Sequence, residues 1–296
     1  VREEAKGAIM GEDIYYRSPD GLKLYAKRYG SKGGMPVLCM HGLTRNHRDF
    51  EPLIEALPKT YDIIAVDQRG RGKSEYDAEL SNYRPDVYIK DMAMLLDHLG
   101  IRKAHLIGTS MGGLMSMLMM KAMPERVSSV IMNDIGPVLE KAGLQRIAGY
   151  VGGTEPVEGW SEAVRRTKAV QQDAFPKQTD AFFEAFAHRT WAENEQGKVR
   201  LDYDPKIADS LSAIKTGPMI NFMMWRLFDE MKQVPLLLIR GGLTDLLSPG
   251  NAERMVKRHP NAGLVTVPDV GHAPILDEPE AKSAILAFLE KQEQSA

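Results

Sequence analysis

Ala104-His105-Leu106-Ile107-Gly108-Thr109-Ser110-Met111-Gly112-Gly113 is the stretch that decides how this chain folds. Its first four residues form an apolar run of strand length. The text from Met111 to Ala122 reads as a helix, so the segment passes from strand to helix through a single tight turn. Gly108, Ser110 and Gly112 give that turn the pattern G-x-S-x-G. Small residues two positions either side of the serine let the chain double back without Cβ clashes. A turn this sharp forces its central residue into a strained conformation and lifts the hydroxyl clear of the sheet, above a helix N-terminus. There the helix dipole and unpaired N–H groups favour a developing negative charge.

The same alternation continues outward from this turn. Segment 13–29 reads as a hairpin of two alternating runs joined at Pro19-Asp20-Gly21. Val37 to Met40 is a continuous apolar run, as expected of a strand buried on both faces. Similar runs are 62–66, 127–132, 235–239 and 264–267, and helical patterns occupy 86–99, 111–122, 249–258 and 279–291. Strands alternating with helices predict a parallel sheet with crossover helices. One region breaks the pattern. From 138 to 231 the text is helix-like and rich in aromatic residues, and Gly152-Gly153, Pro156, Pro176, Pro205 and Pro218 cut it into four or five short helices. Such an insertion between two sheet strands reads as a cap over the strand ends.

Composition removes several function classes. The 296 residues are 43% apolar and 26% charged, close to the globular average. A net charge of −2 provides no strong field for nucleic acid or anionic lipid. A single cysteine, Cys39, excludes an internal disulfide framework and fits a cytoplasmic setting. The opening VREEAKGAIM lacks the apolar run of a signal peptide. No stretch reaches the ~18 apolar residues that span a bilayer; the run from Leu114 to Met120 is ended by Lys121. The expected partner is a small molecule, with neither nucleic acid nor membrane insertion.

A serine poised in this way needs a base. Of the seven histidines, His98 lies in a helix, His105 in a strand and His259 at a helix end, while His47 and His188 sit in polar or helical text. His41 adjoins Gly42 in a tight turn and reads as a loop hydrogen-bonder. His272, in Pro268-Asp269-Val270-Gly271-His272-Ala273-Pro274, follows the last strand, where a loop returns to the carboxyl end of the sheet. Two acids between serine and histidine end strands: Asp134 and Asp245. Asp245 is the expected partner of His272, because its strand precedes the histidine's strand and the two loops should be neighbours. Asp134 is assigned to the pocket floor or the entry to the cap. Asp269 is too close in sequence to stand behind the ring.

Taken together, His41-Gly42, the run D-Q-R-G-R-G-K-S at 67–74, G-T-S-M-G-G at 108–113, N-D-I-G-P at 133–137, R-G-G-L-T-D-L-L-S at 240–248 and G-H-A-P at 271–274 closely resemble the α/β-hydrolase superfamily over nearly the whole chain. The resemblance implies an α/β fold with a mostly parallel central sheet of about eight strands flanked by helices. Residues 1–137 and 232–296 would form the core domain and 138–231 the inserted helical cap. It implies a Ser110–His272–Asp245 triad, an oxyanion hole made by the N–H groups of Leu43 and Met111, and a purely structural role for the turn from Asp67 to Ser74. No metal or organic cofactor is implied, and no H-E-x-x-H-like ligand spacing occurs. Superfamily members that open epoxides or remove halides use an aspartate nucleophile, so Ser110 points instead to acyl chemistry: a serine hydrolase cleaving a carboxylic ester or a related acyl bond, thioesters and amides included, through an acyl-enzyme, with no motif choosing among them. Lactones or the C–C bonds of aromatic-degradation intermediates are the alternative substrates, the latter drawing on Arg146 or Arg226 to hold a carboxylate. A non-enzymatic ligand receptor on the same fold is the other class. Met223, Met224 and Trp225 are the candidate lining of an apolar pocket.

Overall fold

The computed structural model describes residues 10–153, 155–194, 196–212, 214 and 216–295. The amino-terminal hairpin pairs β1 (Glu12–Arg17) with β2 (Lys23–Gly30) in antiparallel register. The chain then alternates: β3 (Pro36–Met40), α1 (Glu51–Ala56), β4 (Asp62–Asp67), α2 (Pro85–His98), β5 (Ala104–Thr109), α3 (Met111–Ala122) and β6 (Val127–Asn133). After the insertion come β9 (Leu236–Gly241), α9 (Pro249–Arg258), β10 (Ala262–Val267) and α10 (Pro279–Glu293). The eight strands form one sheet in the order β1-β2-β4-β3-β5-β6-β9-β10. Pairing is antiparallel as far as β2·β4 and parallel from β4 onward.

Period-two alternation explains why the central strands read as unbroken apolar runs. Leu38, Ile64, Leu106, Val130 and Leu238 point to the face covered by α2, α3 and α9. Their neighbours Val37, Ile63, Ile107, Ile131 and Ile239 point to the other face, covered by α1 and α10. Both faces are dry, so no position on β4, β5 or β9 is exposed.

Between β6 and β9 lie α4 (Lys141–Tyr150), α5 (Trp160–Gln171), α6 (Asp180–Thr190), α7 (Ala208–Ser212) and α8 (Pro218–Asp229). They match the expected series of short helices. The structure adds a ribbon that was not anticipated: β7 (Trp191–Glu193) pairs antiparallel with β8 (Val199–Leu201). Three-residue strands are too short to leave a periodic signature. The ribbon is closed by Asn194, whose side chain accepts from the N–H groups of Gln196 and Lys198. No helix among the described residues is long and apolar enough to cross a membrane.

Candidate active site

The turn after β5 has the strained form its sequence demands. Ser110 adopts φ 51° and ψ −111°, the left-handed side of backbone space. Two glycines permit it. A Cβ on Gly108 would meet the Gly112 carbonyl oxygen at 2.4 Å, and one on Gly112 would meet the Met40 carbonyl oxygen at 2.0 Å. The Ser110 N–H donates to the Asn133 carbonyl at 2.9 Å, tying this turn to the end of β6.

His272 reaches the turn from the loop after β10. Its Nε2 lies 2.9 Å from Ser110 Oγ and its Nδ1 lies 2.7 Å from Asp134 Oδ2. A carboxylate only accepts, so Nδ1 carries the proton and Nε2 is left to accept from the serine hydroxyl. Asp134 is fully buried and also has a positive φ, 56°. Its other oxygen accepts the Gly241 N–H at 2.9 Å, and its own N–H donates to Ile239. These two links to β9 fix the carboxylate from the side away from the ring. Asn133 steadies the histidine loop by donating from Nδ2 to the Pro274 carbonyl at 2.7 Å and to Thr109 Oγ1 at 3.1 Å.

Asp134, not Asp245, is therefore the carboxylate behind His272. The loops after β9 and β10 are neighbours as expected, joined by Gly242 N–H to Val267 and Leu243 N–H to Val270. Asp245 lies four residues beyond β9, however, and the intervening turn carries its side chain to the insertion. There Arg146 of α4 holds it with two hydrogen bonds, at 2.7 and 2.8 Å, and this contact keeps the Asp245 carboxyl below its usual range. Asp134 immediately follows β6, and that shorter distance from a strand end was the signal that separates the two candidates.

Residues 35–279 match the profile of the alpha/beta hydrolase fold family. The chain belongs to that family. This α/β hydrolase is 32% identical over 280 residues to the 3-hydroxybutyrate-oligomer hydrolase of Cupriavidus necator, covering 88% of this chain and 91% of the relative. It is 28% identical over 242 residues to the 2-(acetamidomethylene)succinate hydrolase of Mesorhizobium japonicum, covering 81% and 83%. An alpha/beta hydrolase from Novosphingobium aromaticivorans has the same fold with a TM-score of 0.89 at 40% identity, over 96% of this chain and all of the other, 100%.

In this hydrolase Ser110 opens onto two cavities. The larger, about 650 Å³, is walled by the core and by the insertion, with Leu114, Ile135, Leu144, Ile147 and Met224 among its apolar residues. Leu43 and Met111 also line it, and among the described residues their backbone N–H groups donate to no protein acceptor. Met224 is thus where the sequence placed it. Trp225 is not: it is buried against Phe228, with the Arg254 guanidinium 4.3 Å over its ring, and forms no part of the cavity wall. Successive residues on a helix point about 100° apart, and Trp225 is turned toward Phe228 while Met224 faces the cavity. Met223 is exposed. The smaller cavity, about 50 Å³, contains Ser110 and His272 together with Thr44, Arg45 and Tyr150.

The remaining conspicuous polar residues are structural. His41 is buried; its Nε2 accepts the Gln68 N–H at 3.1 Å and its Nδ1 donates to the Gly42 carbonyl at 2.6 Å. Burial pushes its pKa down to about 3, so it is a neutral brace for the loop. Buried Asp67 accepts from His47 Nδ1, at 2.9 Å, and from the N–H groups of His47 and Lys73.

Proposed function

We propose that this protein is a serine hydrolase that cleaves carboxylic esters through an acyl-enzyme. The observation that carries the proposal is the relay from Ser110 Oγ through His272 to Asp134, with spacings of 2.9 and 2.7 Å. In this reading His272 Nε2 takes the Ser110 proton as Oγ attacks the ester carbonyl. The oxyanion forms against the N–H groups of Leu43 and Met111, which have no competing protein acceptor among the described residues. Donors so placed are worth roughly 3–4 kcal/mol of transition-state stabilisation in other hydrolases. His272 then protonates the leaving alcohol, and water repeats the sequence on the acyl-enzyme. Asp134 holds the imidazole tautomer and stabilises its cationic form. The insertion between β6 and β9 acts as the cap, because its helices supply one wall of the larger cavity. That cavity has the size and apolar lining of a small-molecule site and suits a hydrocarbon acyl group.

The name of the Cupriavidus relative supports ester chemistry. The C–C hydrolase alternative drew on Arg146 and Arg226 to hold a substrate carboxylate. Arg146 is occupied by Asp245, and Arg226 is exposed and outside both cavities that meet Ser110. Neither of those two cations is placed for that task.

A fluorophosphonate probe should label the wild-type protein and not Ser110→Ala. Hydrolysis of p-nitrophenyl hexanoate should fall by several orders of magnitude in Ser110→Ala, with the circular dichroism spectrum unchanged. Absence of labelling, or a variant within tenfold of wild type, overturns the proposal.

A further inference from the structure

We infer that the leaving group of the natural ester is a short hydroxy acid whose carboxylate is held by Arg45. The inference rests on the serine-hydrolase reading and assigns the two halves of the substrate to the two cavities. His272 must protonate the leaving oxygen, so the leaving group lies on the histidine's side of the tetrahedral carbon. His272 lines the cavity of about 50 Å³ and not the apolar one of about 650 Å³. The acyl chain therefore occupies the large apolar cavity, and the alcohol half occupies the small one. A space of that size holds roughly four water-sized positions, which keeps the alcohol half short.

Arg45 lines the small cavity. The Arg45 backbone N–H donates to the Gly42 carbonyl at 3.3 Å, which ties the residue's main chain to the turn that presents Leu43. The Phe186 ring packs against the guanidinium, its centroid 4.1 Å from Cζ. Nη1 donates to Asp49 Oδ1 at 3.0 Å. Among the described residues Nε and Nη2 donate to no protein group, and a guanidinium presents five donors, so a carboxylate can still be gripped at one edge. Asp49, which also lines the small cavity, offsets part of the charge. Beyond Arg45 the balance turns positive. A further cavity of about 220 Å³ shares Thr44, Arg45, Tyr150 and Gln171 with the small one and adds Arg165 and Arg166, with no acidic residue in its wall. Those two arginines share one carboxylate, Glu162. Three guanidiniums thus stand against two carboxylates along the path away from His272.

The reaction balances as ordinary ester hydrolysis. The Ser110 Oγ–carbon bond forms, and the carbon–oxygen bond to the hydroxy acid breaks. The serine proton passes through His272 to that oxygen, and one water then releases the acyl group as a carboxylic acid.

The test compares two substrates in one enzyme: 3-hydroxybutanoate esterified at its hydroxyl with hexanoate, and the same compound with its carboxyl capped as the methyl ester. Wild type should favour the free carboxylate in kcat/KM by roughly ten- to a hundredfold, as expected for charge-assisted hydrogen bonds. That ratio should shrink with added salt and collapse to about one in Arg45→Gln. Should Arg45→Gln fail to fold, wild type decides the matter by product inhibition. Free 3-hydroxybutanoate should inhibit p-nitrophenyl hexanoate hydrolysis competitively, and methyl 3-hydroxybutanoate should be at least tenfold weaker. No preference in wild type, a preference surviving in folded Arg45→Gln, or equal inhibition by acid and methyl ester each overturns the inference. Turnover of p-nitrophenyl hexanoate with no carboxylate preference defeats this inference alone. Failure to hydrolyse that ester defeats the serine-hydrolase reading beneath it.

Discussion

Replacing Asp134 by asparagine should damage catalysis through a proton and leave the shape of the site almost unchanged. In the native site Asp134 Oδ1 accepts the Gly241 N–H at 2.9 Å and Oδ2 accepts from His272 Nδ1 at 2.7 Å. An asparagine has one oxygen and one NH2. Gly241 is a fixed backbone donor, so the amide oxygen must face it and the NH2 must face His272. Two donors cannot meet, and Nδ1 gives up its proton to become an acceptor. The ring proton then moves to Nε2, which faces Ser110 as a donor and cannot take the hydroxyl proton. The corresponding change in a well-studied serine protease costs ~10⁴ in kcat, about 5 kcal/mol of barrier at 1.36 kcal/mol per decade. Asp134→Asn should lower kcat on p-nitrophenyl hexanoate by three to four orders of magnitude, with KM and the thermal melt close to wild type. Asp245→Asn is the paired measurement. It weakens a partly exposed ion pair with Arg146, worth about 1 kcal/mol or less. It should change KM by up to about fivefold and leave kcat within threefold. A hundredfold loss of kcat in Asp245→Asn, with Asp134→Asn within tenfold of wild type, would refute this reasoning.

The buried histidines make stability acid-sensitive. Burial lowers the pKa of His41 to about 3 and that of His105 to about 4, so between pH 6.5 and about 4 the unfolded chain binds protons that the folded one does not. Their contribution is present above pH 6.5 and drains as pH falls, by about 1.4 kcal/mol per pH unit for each histidine. Urea melts from pH 7 to 5 should show the decline, and His105→Gln should flatten it by one proton; a pH-independent midpoint would contradict the burial argument. Gly112→Ala should unfold the turn on geometry alone, since its Cβ would lie 2.0 Å from the Met40 oxygen and 2.7 Å from the Met40 carbon, both backbone atoms. The expected cost is about 3 kcal/mol or more, a fall in Tm of roughly 6 °C or more by calorimetry.

What the sequence makes legible, and what it hides, follows from how local each signal is. The turn around Ser110 is decided by residues within four positions of it, and the parallel strands announce themselves because both faces are buried. The β7–β8 ribbon is hidden because three residues cannot show a period. Trp225 was misplaced because helical rotation relative to an unseen cavity cannot be read from composition. The acid was misassigned for a different reason. Neighbouring loops were inferred correctly from strand order, but adjacency of loops does not say where a side chain four residues along one of them points. Asp134 needed only one step from β6 and a positive φ to reach His272.

Where Asp245 does point has its own consequence for the pocket. Its carboxylate grips Arg146, its carbonyl accepts the Gly143 N–H at 3.1 Å, and the Leu246 carbonyl accepts from Glu140 at 3.1 Å. All three contacts fall on α4 or the residue before it. A Cβ on Gly143 would lie 2.8 Å from the Asp245 carbonyl oxygen, so the helix is seated directly on the loop after β9. The same helix carries Leu144 into the large cavity, Tyr150 into the small one, and Ile147 into both. The position of that wall is therefore set from the core by backbone contacts, with the ion pair reinforcing them at one end. This is why Asp245→Asn should act on substrate binding while the chemistry at Ser110 continues.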